Sequence, residues 1–207
     1  MRDLTNRGYF LNLAAVFEGG LLVVALGLGW VLDVEPLESF AWRWADLAWG
    51  LAAAVPLVVL FLLSHRFPVG PFLPIKRFLI EMLGPSLVNC RWYDLVLLSM
   101  LVGFSEELLF RGVVQPWFAN WGMFAGLVGS NILFGLAHFI TPLYALTAAL
   151  IGCYLGVLLN VTGNVLAPVA THAAYDFLAF LVVARAYESE RSRRSNSSVD
   201  DAGDQIG

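Results

Sequence analysis

Charge is what this chain has least of. Only 14% of its 207 residues are Asp, Glu, Lys or Arg, while 59% are apolar and the mean hydropathy is +0.74. Soluble domains carry about 25% charged and 45–50% apolar residues, so a soluble globular fold is excluded. Cysteine is nearly absent too. Cys90 and Cys153 stand in unrelated contexts and form neither a disulfide framework nor a zinc pattern. The net charge of -4 is small, so it points to no nucleic-acid partner. No G-x-S-x-G surrounds any serine and no H-E-x-x-H occurs.

What the chain has is apolar runs: Tyr9–Leu32, Asp46–Leu63, Tyr93–Phe118, Met123–Ile140, Leu143–Asn160 and Val165–Ala184. At ~20 residues per membrane-spanning helix these predict an all-α, polytopic transmembrane helix bundle of about six spans. The first run is too long for a cleaved leader and is expected to stay as a helix. Trp42, Trp44 and Trp49 suit a headgroup interface, as do Trp117, Trp121 and Tyr144. Between the second and third runs, Pro68, Pro71, Pro74 and Pro85 mark an extramembrane connector, Ser64–Arg91, with a short interfacial helix at Ile75–Leu83. The connections at Ala119–Gly122 and Val161–Asn164 are so short that the helices they join must be antiparallel. Residues 185–207 are too polar to build a core and are expected to be a disordered tail. Ten of the twelve Lys and Arg residues fall on the side of the termini and connector, with Arg43 opposite and Arg111 inside a span. That asymmetry places both termini in the cytoplasm, in a plasma (inner) membrane. The organisation is thus 1–91, two spans and a basic connector; 92–184, a four-helix core; and 185–207, the tail.

Ionisable groups inside a bilayer cost ~2.5–3.5 kcal/mol each on insertion scales, so their positions are informative. They gather in three segments: GFSEELLFRG with Glu106, Glu107 and Arg111, NILFGLAHF with Asn131 and His138, and PVATHAAYDF with His172 and Asp176. Glu107 and Arg111 are four apart with the acid first, the favourable order for an ion pair. Glu106, about 100° away around the helix, is left without a partner in its own helix. Asn131, Phe134 and His138 share one face, as do His172 and Asp176. Measured along the helices from the turns at Asn120 and Asn164, Glu106 and His138 lie at similar heights, and His172 lies nearer the surface by a gap that tilt or unwinding must close. Glu18, alone in the first span, is expected to make a buried hydrogen bond, and His65 to be solvated. Gly152 and Gly156 are expected to serve close helix packing.

A carboxylate beside a His can take a proton from water and relay it. A second His, with a carboxylate one turn on, can stabilise the oxyanion formed when water attacks an amide. Two His and a carboxylate are equally a zinc donor set, and the residues alone leave that choice open.

The order Glu106-Glu107-x-x-x-Arg111, Phe134-x-x-x-His138, His172-x-x-x-Asp176 resembles the three motifs of the CPBP family of CAAX-processing and bacteriocin-processing intramembrane proteases, also called Abi. FRG after the acidic pair, the Gly-rich fifth span and the TGN turn match as well, over Trp92–Phe180. The resemblance implies an intramembrane endopeptidase acting on a membrane-embedded or lipid-anchored protein or peptide. It implies Glu106 as catalytic base beside His138, His172 and Asp176 as the oxyanion pair, and Glu107, Arg111, Phe134 and Asn131 as support. The family's third motif ends in Asn or Asp; an ionised Asp176 cannot donate, so it must be protonated or orient His172. No cofactor is the favoured expectation, with zinc on Glu106, His138 and His172 as the alternative. Two other classes compete: a non-catalytic immunity or scaffold protein of the same fold, and a proton-coupled carrier. The latter is disfavoured by the lack of internal repeats or paired broken helices.

Overall fold

The structure, a computed structural model, describes residues 5–70 and 72–203. Pro71 and the last four residues of the tail lie outside it. In chain order the helices are α1 (Arg7–Leu32), α2 (Trp44–Arg66), α3 (Phe72–Leu87), α4 (Trp92–Leu109), a π-helical turn (Phe110–Val114), α5 (Gln115–Ala119), α6 (Met123–Ala137), α7 (Pro142–Thr162) and α8 (Leu166–Gly203). No strand occurs among the described residues. The chain is a polytopic bundle in which α1, α2, α7 and the Leu166–Arg193 part of α8 are each long and apolar enough to cross a membrane. The α4–π–α5 rod runs unbroken from 92 to 119, and α6 completes the core.

Local chemistry sets the ends. Asn6 caps α1, its side chain accepting from the Tyr9 N–H at 3.0 Å. Thr141 caps α7 through the Tyr144 N–H at 3.1 Å, with Pro142 in the first turn, where a missing N–H costs nothing. Gly163 ends α7 with φ +61, the left-handed conformation glycine adopts freely. The Asp94 carboxylate accepts from the Arg91 N–H at 2.7 Å and from Arg7 at 2.6 and 2.5 Å, tying the start of α1 to the start of α4.

Three boundaries differ from the sequence expectation. α3 is longer than 75–83: Pro74 falls in its first turn, where N–H groups have no intrahelical partner, and the helix runs past Pro85 only to Leu87. α6 stops at Ala137 rather than 140, leaving His138 as its C-cap. Residues 185–203 continue α8 where a disordered tail was expected. Extending an anchored helix avoids the cost of nucleation, and Tyr187 packs directly on the bare face of Gly84 in α3. His65 is half-buried against Phe61 (5.9 Å) rather than solvated.

α4 contributes to two apolar clusters. Near its C-terminal end Ala25, Leu108, Leu109, Phe110, Val113, Val114, Phe134 and Ala148 pack together; near its N-terminal half Leu87, Leu95, Leu98 and Val183 do. Large apolar side chains such as Phe17, Trp30, Leu60 and Phe124 stay exposed, as lipid-facing residues do.

One buried side chain fixes the end of the bundle nearest the α1–α2 loop. Asn164, 1% exposed, receives the Ala41 N–H on Oδ1 and donates through Nδ2 to the Ala41 carbonyl and to Asp46 (both 2.7 Å). The Val165 N–H reaches the Ser39 carbonyl at 3.1 Å. The loop is thereby clamped to the start of α8. Asn164→Leu is expected to cost about 2–4 kcal/mol, since each buried group left unsatisfied costs ~1–3 kcal/mol. Denaturant titration in detergent micelles reads this directly.

Candidate active site

α4, α6 and α8 bring the three polar segments to one place. Glu107, fully buried in the last turn of α4, uses both carboxylate oxygens. Oε2 pairs with Arg111 Nε at 3.1 Å, and Oε1 accepts from His172 Nδ1 at 2.9 Å. Arg111, also fully buried, donates to Asn131 Oδ1 at 3.0 Å and to the Gly152 carbonyl at 2.6 Å. Its guanidinium lies over the Phe134 ring at 4.8 Å. That ring stacks on His138 at 4.4 Å and meets Phe110 edge-on at 4.9 Å. Phe134 therefore separates the cation from His138 and supports both.

The π-helical turn begins at Phe110 and carries Arg111 and Gly112. Gly112 meets the Pro36 carbonyl, where a Cβ would sit 2.5 Å from that oxygen. This explains how the height gap at His172 closes. Gly112, not Asn120, is level with the α1–α2 loop, and Val165 is level with Ser39 of the same loop. Six residues separate Gly112 from Glu106 and seven separate Val165 from His172, so at ~1.5 Å per residue the two side chains reach the same depth. α5 stands out beyond that level.

Gly152 and Gly156 differ from expectation. They make room for side chains rather than for a neighbouring backbone: a Cβ on Gly152 would overlap Asn131 Oδ1, and one on Gly156 would sit 2.6 Å from Gln115 Oε1.

Glu106 is the contrast to Glu107. Its Oε2 is buried, makes no hydrogen bond among the described residues, and faces His138 Nε2 at 3.6 Å and His172 Nε2 at 3.9 Å. His138 Nδ1 lies 2.9 Å from the Phe134 carbonyl. A carbonyl only accepts, so Nδ1 carries the proton and, in the neutral ring, Nε2 presents a lone pair to Glu106. Asp176 Oδ2 is 3.5 Å from His172 Nε2. The orientation of His172 is thus held by Glu107 through Nδ1, and Asp176 lies on the side of the other nitrogen.

Two further groups lie near the site. Tyr144, expected at the headgroup level, is within electrostatic reach of Asp176 and Glu106. Glu18 has a partner in Ser105, whose Oγ lies 2.5 Å from Glu18 Oε2. The six-residue spacing from His138 to Tyr144 hints at the first; nothing local reveals the second.

Among the described residues no three His, Cys, Asp or Glu side chains are arranged to hold a metal ion.

Residues 87–178 match the family model described as Type II CAAX prenyl endopeptidase Rce1-like. The matched segment is similar to this family. All three motifs lie within it, and the family agrees with the CPBP resemblance of the sequence. Four helices long and apolar enough to cross a membrane make the chain an integral membrane protein whose core is similar to an endopeptidase family. No curated protein and no solved structure matches it.

Removing one member of the buried Glu107–Arg111 pair strands the other. Arg111→Met and Glu107→Gln are each expected to lose about 3–5 kcal/mol of stability. The double variant should recover part of the loss, because no charge is then left unpaired. Denaturant unfolding of the three variants in one detergent compares them.

Proposed function

We propose that this protein is an intramembrane endopeptidase in which Glu106 activates water for attack on a peptide bond. The observation that carries the reading is the unbonded Glu106 oxygen facing two imidazole nitrogens within 3.9 Å. Glu106 Oε2 and the neutral His138 Nε2 are both acceptors, so a water between them donates a hydrogen to each and turns a lone pair outward. Attack on the carbonyl passes the water proton to Glu106, which can return it to the leaving amine. A protonated His172 presents Nε2–H to the oxyanion, and a protonated Asp176 adds a second donor beside it. Glu107 and Arg111 hold His172 in register, while Asn131 and Phe134 hold Arg111 and His138. No nucleophilic Ser or Cys is needed, since Cys153 has no activating neighbour in its own helix.

The substrate we propose is a membrane-associated chain, cleaved near a lipid-anchored end as in CAAX processing or near a leader as in bacteriocin processing. The bilayer is the other partner. The charge asymmetry of the loops supports a reading with both termini in the cytoplasm, in a plasma membrane.

The test compares the termini of membrane proteins in cells carrying the wild type, a deletion and Glu106→Gln at matched expression. New termini are expected only with the wild type, and their flanking sequences name the substrate. Removing a general base lowers rates by ~10²–10⁴, so Glu106→Gln should resemble the deletion while keeping wild-type stability. If Glu106→Gln matches the wild type, the catalytic reading fails and the scaffold reading takes its place.

We also propose that hydrolysis needs no metal. Cleavage by the purified protein should stay within about twofold after 1,10-phenanthroline treatment. Loss of activity restored by zinc would instead assign Glu106, His138 and His172 as its ligands.

A further inference from the structure

Glu18 stands outside the segment matched by the family model, on α1, yet points into the same polar cluster. It is 6% exposed, and its hydrogen-bond partner among the described residues is Ser105, which is fully buried and immediately precedes Glu106. Glu18 is within electrostatic reach of Glu106, His138, His172 and Asp176. No Lys or Arg pairs with it among the described residues, since Arg111 is taken by Glu107.

Charge balance gives this placement its meaning. The cluster contains four carboxyl groups, from Glu18, Glu106, Glu107 and Asp176, and one permanent cation, Arg111. In a poorly solvated interior such a set approaches neutrality only by holding three protons among its carboxyls and the two His. Without Glu18 it would hold two. The Ser105 hydroxyl fixes where the added carboxyl sits, one residue from the base.

We propose that Glu18 is a positioning residue of the site, acting through Ser105 and through its charge to place Glu106 and to add one proton to those the cluster shares. This rests on the hydrolytic reading above, and its test separates the two. Glu18→Gln keeps an oxygen acceptor for Ser105 but removes the charge and the titratable proton, while Glu18→Leu removes both contacts. Cleavage of a farnesylated CAAX peptide by the purified full-length protein in nanodiscs gives kcat and KM. Glu18→Gln is expected to lower kcat about tenfold or more with KM within about twofold and melting unchanged. Glu18→Leu should in addition melt earlier. Wild-type kcat in Glu18→Gln overturns the proposal and leaves a structural hydrogen bond.

A second readout needs no substrate. Infrared pH-difference spectra of the carboxyl region are recorded for the wild type, Glu18→Gln, Glu106→Gln and the double variant. Coupled groups give non-additive changes, whereas strict additivity overturns the proposal even if cleavage is impaired. Non-additive spectra from a protein that cleaves nothing would uphold the coupling and defeat the protease reading instead.

Discussion

The Glu107 carboxylate is shared between Arg111 and His172, and the arrangement of the core follows from that sharing. A fully buried carboxylate must be paired, and its two oxygens take one partner within its own helix and one from α8. The Arg111 guanidinium then turns Nη2 to its neighbours, donating to Asn131 on α6 and to the Gly152 carbonyl on α7. One ion pair thereby joins four helices, and Gly152 is glycine because a side chain there would fill the space Arg111 and Asn131 need.

This division frees the neighbouring acid. Adjacent residues on a helix point about 100° apart, so the pairing that consumes Glu107 cannot reach Glu106. Glu106 instead looks toward the end of α6, where the helix stops at His138 and that imidazole is held by its own backbone and by the Phe134 ring. The rigid half of the site holds the two His, and the unbonded half faces them. Such a contrast between adjacent carboxylates suits a reaction that needs one fixed group and one group able to exchange a proton.

Much of this was legible in the sequence, because its informative signals are local. The i,i+4 spacings place Glu107 on Arg111 and His172 near Asp176, and scarcity makes each intramembrane charge conspicuous. The rest depends on contacts across the chain. The partner of Glu18 is 87 residues away, and no spacing rule reaches that far. The role of Glu107 in orienting His172 is equally non-local; sequence reasoning pairs Asp176 with His172 by spacing alone, whereas Glu107 takes the Nδ1 side. Depth counts failed at His172 because they assumed that each helix turns at the surface, while α5 projects past the α1–α2 loop. The C-terminal residues read as unstructured from composition, yet they extend a helix already anchored on α3.

The proposed chemistry turns on what lies between Glu106 and the two imidazoles. An experimental structure of the protein in lipid, at a resolution that shows ordered water, examines that point directly. A water is expected within hydrogen-bond distance of Glu106 Oε2 and His138 Nε2, and it should be lost or displaced in Glu106→Gln. A site in which Glu106 bonds directly to another side chain, or in which a metal ion sits on Glu106, His138 and His172, would contradict it.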